Sequence, residues 1–477
     1  MEDSLKRLVS RFFSFSLGPS IAALIGLIIV PITTYFVSPS EFGKASMYTL
    51  AYTIGSIFIY FGLDQSFLRE YHSNPDKRKV FANAVILPLT FSVVLCVTLL
   101  FFYKEISMLL FGEINFIAIF YLSFSLILAI VNRFSLLKIR IQEKAKLYSA
   151  YTILIKLLEA IILIIILFYY DKSFIGIIKA TFFSLLVVTL IQFLSTFKDW
   201  KSIFQIDKVL IKKLLAFGLP LVPATIIIWV FSSMDRLALK YWSTFTELGI
   251  YAVAFKIVAI LAIFKQAFAT FWIPTAYRWY ENKVSNNKFE KVGQLVAFYM
   301  GLIFIGIISF KDLIIQILGG PYSVAALSVP FLLFSPLMYT MSECTSLGIA
   351  FKRKTNYNIL ISVAVAILNL FGNFLLVPKY GALGASISTG VSYIAFFWLR
   401  TMISRRLWHK FQIKIYIYNT VLMIVVASVS LLFDSLILNL LFILLLCLLN
   451  IKALKYSVTI IKTIFNRKEI KINSISR

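Results

Sequence analysis

The sequence predicts an all-α polytopic membrane protein of about fourteen transmembrane helices. Three observations carry that expectation: scarce charge, apolar runs of membrane length, and basic residues that alternate between those runs. The 477-residue chain is 60% hydrophobic and 14% charged, whereas a soluble domain carries about a quarter charged residues. No soluble core could bury that much apolar surface. The apolar residues recur in runs of about 20, the length at which a helix rising 1.5 Å per residue crosses a ~30 Å hydrocarbon layer.

Between charged or turn-forming breaks the runs fall near 12–37, 44–64, 81–103, 114–137, 147–169, 174–197 and 214–235, then 247–273, 292–310, 323–350, 358–377, 381–403, 415–433 and 435–455. Basic residues settle the expected orientation, because short cytoplasmic loops collect Lys and Arg. Alternate loops hold Arg69 and Lys77 to Lys79, Lys138 to Lys146, Lys198 to Lys213, Arg278 to Lys291, Lys352 to Lys354, and Arg400 to Lys414. The opposite side holds few, among them Lys44, Lys104, Lys172, Lys311 and Lys379. Both termini are therefore expected in the cytoplasm. The first run, preceded by Lys6, Arg7 and Arg11, is too long for a signal-peptide core and lacks a small-residue cleavage site, so it reads as a retained first helix. No segment between runs is long enough for a folded extramembrane domain.

A formal charge of +26 would raise nucleic-acid binding in a soluble protein. Here the basic residues lie between membrane runs, without a basic stripe interleaved with aromatics, so topology accounts for them and no nucleic acid is expected. Cys96, Cys344 and Cys447 fall inside apolar runs as small hydrophobes. His72 and His409 lie far apart in basic loops, without a Cys or carboxylate at ligand spacing. Neither a disulfide framework nor a metal or other cofactor is expected.

Self-similarity organises the chain further. Glu41-Phe42-Gly43 after run one matches Glu247-Leu248-Gly249 after run seven; Lys144 and Lys146 match Lys352 and Lys354; Gly176 matches Gly384, all at offsets of about 206 to 208 residues. Copies of six helices share one orientation, which makes them parallel repeats about an axis along the membrane normal. The expected organisation is a six-helix lobe over 1–200, a second over 201–412, and two extra transmembrane helices with a basic cytoplasmic tail over 413–477.

These turns and helix ends resemble a known family. Ser38-Pro39-Ser40-Glu41-Phe42-Gly43, Phe61-Gly62-Leu63 through Arg69, Phe217-Gly218-Leu219-Pro220, Ser233-Met234-Asp235-Arg236, Glu247 through Tyr251, and Gly381-Ala382-Leu383-Gly384-Ala385 carry the likeness. Together they resemble the oligosaccharide-lipid flippases of O-antigen, capsule and exopolysaccharide pathways (Wzx-like). Those belong to the multidrug/oligosaccharidyl-lipid/polysaccharide exporter superfamily. The resemblance implies a MATE-like pair of six-helix bundles around a central cavity that opens alternately to either side. It implies a monomer in the bacterial inner membrane, H+ or Na+ as coupling ion, and a polysaccharide polymerase and chain-length proteins as partners. By analogy with the lipid II branch, runs thirteen and fourteen would offer a groove for the lipid tail. That branch resembles a pattern with arginines in run one, and drug extruders tend to carry an acid there. Between Arg11 and Glu41 this chain has neither.

Charges inside the runs are the candidate site, because each costs about 2.5–3.5 kcal/mol near the bilayer centre on insertion scales. Lys156 and Glu159 lie three apart on one helix face. They form either an internal ion pair packed between helices or a coupling site where Glu159 binds a cation and frees Lys156 for an anion. Lys256 lies about 13 Å into run eight and is expected to face the cavity. Lys265, nine residues on, points to the opposite face and is read as snorkelling. Arg133 either snorkels or lines an inner vestibule. Asp235 and Arg236 close run seven as a gating pair or an interface mark. Glu343, in a polar run with Ser342, Thr345 and Ser346, is expected to line the second lobe.

A polyprenyl-diphosphate-linked oligosaccharide presents an anionic linkage and many hydroxyls, each costing several kcal/mol to bury unpaired. Mid-depth Lys or Arg would meet the diphosphate with charge-assisted bonds. The expected function is a flippase that carries such a repeat unit across the bilayer, not an enzyme. The alternatives are a cation-coupled small-molecule or drug antiporter, opposed by the missing acid in run one. A membrane glycosyltransferase or polysaccharide polymerase is opposed by the short outer turns, and a scaffold without transport by the mid-membrane charges.

Overall fold

The structure is a computed structural model that describes residues 2–201, 203–433 and 435–459, with side chains from Leu17 onward. The side chains of Lys6, Arg7 and Arg11 and the basic tail 460–477 lie outside the described residues. Among the described residues the chain is helical throughout, without a β-strand. Lipid explains this: with no water to bond exposed amides, a spanning segment must satisfy its backbone internally.

The chain divides into two compact units, Met1–Ala252 and Val253–Arg477. The first contains α1 (Glu2–Phe36), α2 (Pro39–Tyr60), α3 (Leu63–Ser73), α4 (Lys77–Phe101), α5 (Tyr103–Phe111), α6 (Phe116–Ile141), α7 (Ala145–Tyr169), α8 (Phe174–Ser195), α9 (Phe197–Trp200), α10 (Lys208–Gly218) and α11 (Leu221–Trp242). Helix α12 (Phe245–Ala259) runs through the boundary. The second unit continues with α13 (Leu261–Glu281), α14 (Asn286–Ser309), α15 (Lys311–Gln316), α16 (Ala325–Leu332), α17 (Phe334–Thr345), α18 (Leu347–Phe351), α19 (Asn356–Leu407), α20 (Lys414–Val429) and α21 (Leu436–Leu449). The expected lobe boundary after residue 200 follows the repeat, whereas compactness places the division later. The reason is packing: α10 lies against α3 and α4, and α11 against α2.

Among the described residues ten helices are long and apolar enough to cross a membrane, or up to twelve if the bent pairs α2–α3 and α21 with Ile451–Thr459 each count once. Each of the fourteen expected runs falls on helix. The shortfall arises at α19, counted once although Gly381 at φ 51° and ψ −127° breaks it between two runs, and at α20, which has only 16 residues.

Sequence chemistry sets the helix ends. Ser38 caps α2 by accepting from the Glu41 amide, with Pro39 opening the first turn. Asn115 caps α6 through the Ala118 amide at 3.0 Å. Phe61 and Gly62, both left-handed, end α2 and bend the chain by 44° into α3. Two repeat-related turns close alike. After α6, Glu143 at φ 57° lets Lys144 N–H reach the Ile139 carbonyl. After α18, Arg353 at φ 54° lets Lys354 N–H reach the Ile349 carbonyl. Both are Schellman closures that satisfy the last carbonyls of a helix.

Exposed apolar stripes mark the lipid faces. On α7 the stripe is Leu157, Ile161, Ile165 and Phe168; on the first half of α19 it is Leu360, Val363, Ile367, Phe371 and Phe374. Each unit is clamped by an aromatic cluster. In the first, Phe67 meets Phe81 and Phe134 while Phe81 meets Trp200, at centroid separations of 5.2 to 6.0 Å. In the second, Tyr280 stacks on Phe351 at 4.0 Å, and Phe289 and Trp408 pack edge-on around them. Helices α20 and α21 pack on α14.

Candidate functional site

Within the first unit the break between α2 and α3 is the natural starting point, because a bent helix frees polar groups at depth. Asp64 lies in the first turn of α3, and its side chain is 8% exposed. Arg133 on α6 donates to its Oδ2 from Nη2 at 2.6 Å and from Nε at 3.2 Å. Gln65 donates to the same oxygen at 3.0 Å. Both Arg133 bonds end on one atom, so the outer donors of the guanidinium remain directed elsewhere, and the side chain is 41% exposed. Its guanidinium carbon also lies 5.8 Å from the Tyr60 ring. The guanidinium thus turns to an acid on a neighbouring helix.

The break is matched by a second one. Helices α10 and α11 are separated at Leu219-Pro220, and Gly218 faces Gly62 so closely that a Cβ on Gly62 would stand 2.1 Å from the Gly218 carbonyl oxygen. Ser66 locks the contact by donating to the Leu214 carbonyl at 2.7 Å.

On α7, Lys156 bonds Glu159 at 2.5 Å, and Thr181 of α8 donates to the other carboxylate oxygen at 3.2 Å. Helical spacing puts both residues on the side of α7 away from its lipid stripe. Lys156 is 42% exposed and Glu159 20%. The sequence expectation of a neutralising i, i+3 pair is met in the geometry.

The other end of α2 carries the repeat-related turns, and they touch. A Cβ on Gly43 would stand 2.1 Å from the Phe245 carbonyl oxygen, and a Cβ on Gly249 would stand 1.8 Å from that of Pro39. Each turn thus seats its glycine against the backbone of the other, an approach no other residue permits. Lys44 braces the same end by bonding Glu113 at 2.6 Å and Glu41 at 3.2 Å, while Glu41 accepts the Phe174 amide at 2.8 Å. Asp235 accepts from the Tyr251 hydroxyl at 2.5 Å, joining α11 to α12. The residue beside it, Arg236, is half-buried in α11.

The second unit holds a different cluster. Arg400 Nη1 donates to Glu343 at 3.1 Å and to Ser342 at 2.7 Å. The guanidinium carbon lies 5.1 Å from the Phe396 ring and 5.8 Å from that of Tyr339, and the Lys265 ammonium sits 4.3 Å over Tyr339. Tyr339 and Phe396 are stacked at 5.7 Å. Two sequence readings are corrected here. Arg400 was grouped with the basic loop after run twelve, but it turns inward to a buried carboxylate. Lys265 was read as snorkelling, but an aromatic ring and a nearby carboxylate hold it within the unit. Lys256 is exposed in the last turn of α12, just before the break at Ile260. His409, read as lacking an acid at ligand spacing, meets Glu290 at 2.8 Å across the fold.

Sequence reasoning missed Asp64 and Arg400. Asp64 left a trace, since it lies between Glu41 and Glu70 with no other acid between. Arg400 left none, because its place near a run end fits a loop charge equally well.

The profile of a family described as polysaccharide biosynthesis protein matches residues 8–279. Over 169 residues the chain is 22% identical to the probable low-salt glycan biosynthesis flippase Agl15 of Haloferax volcanii. The alignment takes in 35% of this chain and 36% of that protein, so the chain spans little more than a third of the relative's length. Among solved structures, the fold is similar to a lipid II flippase MurJ in an inward closed conformation. The TM-score is 0.66 at 14% identity, covering 96% of this chain and 99% of the other. It is also similar to an inward-facing multidrug resistance MATE family transporter of the MOP superfamily. There the TM-score is 0.54 at 14% identity, covering 83% and 97%. At these identities the likeness concerns the fold, which is all-helical and MATE-like.

Proposed function

Because the chain belongs to the polysaccharide biosynthesis protein family, we propose that it carries a polyprenyl-diphosphate-linked oligosaccharide repeat unit from the cytoplasmic to the outer leaflet by alternating access. The observation that carries this reading is Arg133, a cation held beside the break between α2 and α3, anchored on one side by Asp64 and open on the other. A guanidinium so placed suits a diphosphate, which takes parallel charge-assisted bonds that an ammonium cannot match. The wider reading is a chain of fourteen crossings, counting the two sides of Gly381 and α20 separately, with both termini in the cytoplasm and lobes over 1–200 and 201–412 followed by 413–477. The glycine contact between the turns at Gly43 and Gly249 supports an outer gate, since backbones that only touch can part without breaking an ion pair. Lys156 and Glu159 serve as the coupling pair for H+ or Na+, and Lys256 and Glu343 as further cavity groups.

The pathway, O-antigen, capsule or exopolysaccharide, sets the sugars, and a polymerase with its chain-length partners receives them. The protein is a transporter rather than an enzyme, working as a monomer in a bacterial inner membrane. Cells deleted for it are expected to accumulate the lipid-linked repeat unit in the cytoplasmic leaflet. An unchanged leaflet distribution in the deletion strain would remove the proposal.

A further inference from the structure

An apolar groove of about 310 Å³ opens within the first unit between α2, α4, α5, α6 and α11. Its walls include Leu50, Ile54, Leu95, Leu122, Leu126 and Trp229, and no titratable side chain lines it. The volume lies at the lower end of the range for small-molecule sites, about 300–1,000 Å³. The groove is not an isolated void between helices, because its walls lead to a cation. On α6, Leu122, Leu126 and Arg133 fall within about 40° of one another at 100° per residue, so they share a face. Arg133 lies seven residues beyond Leu126, about 10 Å along the axis. On α2 the groove ends at Phe58, and two residues later Tyr60 donates to the Ala129 carbonyl and flanks the Arg133 guanidinium.

The groove followed by a half-exposed cation describes the outline of one ligand class, a long hydrocarbon ending in a phosphate anion. We infer that this groove seats the isoprenoid chain next to the diphosphate of a polyprenyl-linked substrate, with the diphosphate at Arg133. The inference rests on the function proposed above and makes it more specific. The expected tail groove on runs thirteen and fourteen differs from this one, which the first unit forms from its own helices. A chain seated there removes apolar surface from a crevice that bilayer lipid would otherwise fill, and its anion replaces water at Arg133. A phospholipid acyl chain shares the hydrocarbon chemistry, and the crosslinking arm of the test tells the two occupants apart.

The test compares a long-chain polyprenyl diphosphate with geranyl diphosphate, binding each to the full-length protein in detergent by native mass spectrometry. Wild type is expected to prefer the long chain by roughly tenfold or more, about 1.4 kcal/mol of added burial. Ile54→Trp and Leu95→Trp fill the groove and are expected to erase that preference, bringing long-chain binding down to the level of geranyl diphosphate. Arg133→Gln is expected to weaken both ligands alike. A photo-crosslinking residue at position 95, in an otherwise unaltered chain, reads occupancy in membranes even if the tryptophan variants fail to fold. Its adducts are expected to contain the polyprenyl lipid. Retained chain-length preference in the tryptophan variants, or crosslinks to phospholipid alone, would overturn the groove while sparing the proposed function. Failure of wild type to bind either diphosphate would overturn both.

Discussion

Ion pairs of the two units differ in exposure. In the first, the cations of the pairs Asp64–Arg133 and Lys156–Glu159 are 41% and 42% exposed. In the second, Arg400 and Glu343 are 13% and 10% exposed, and aromatic rings cover Arg400 and Lys265. A charge in a membrane helix is therefore informative through its exposure and its partner, not through its presence alone.

The largest effect expected from this contrast is in the second unit. Glu343→Gln strands Arg400 in a buried, aromatic-lined site and should destabilise the protein by about 3–5 kcal/mol, whereas the double variant Glu343→Leu, Arg400→Met should recover most of that. Thermal unfolding in detergent measures both. A mild effect of Glu343→Gln would mean that water reaches the cluster and that the two units do not differ as described. Next comes the turn contact of the first unit. Gly249→Val drives a side chain into the Pro39 carbonyl and should cost about 1–3 kcal/mol of overpacking. Where the turns part, cysteine labelling near residue 43 from the outer face should rise. Unchanged labelling and export would deny the turns a gating role. The smallest effect is local: Asn115→Ala removes the cap of α6 and should cost about 1 kcal/mol, with transport retained.

The fold was legible because the bilayer imposes it: run length, basic alternation and glycine-bearing turns are all local signals. The site was legible only where its partners are local. Lys156 and Glu159, three residues apart, announce their own pairing. Arg133 and Asp64 are joined across 69 residues, and Glu343 and Arg400 across 57, so only packing reveals them. Lys265 misled for the same reason, because its ring partner Tyr339 sits on another helix. Gly43 and Gly249 were visible as repeat marks, yet nothing in either motif says that the two turns meet.

The central claim is that the exposed cation of the first unit carries the anionic head of a lipid-linked sugar across the bilayer. The direct measurement reconstitutes the protein in liposomes with a fluorescent polyprenyl-diphosphate oligosaccharide and follows quenching of the probe from the outside. Wild type is expected to bring the inner-leaflet probe within reach of the quencher, and Arg133→Gln to slow that exchange by roughly tenfold or more, the worth of a charge-assisted bond. Equal exchange by both proteins, or by liposomes without protein, would contradict the claim.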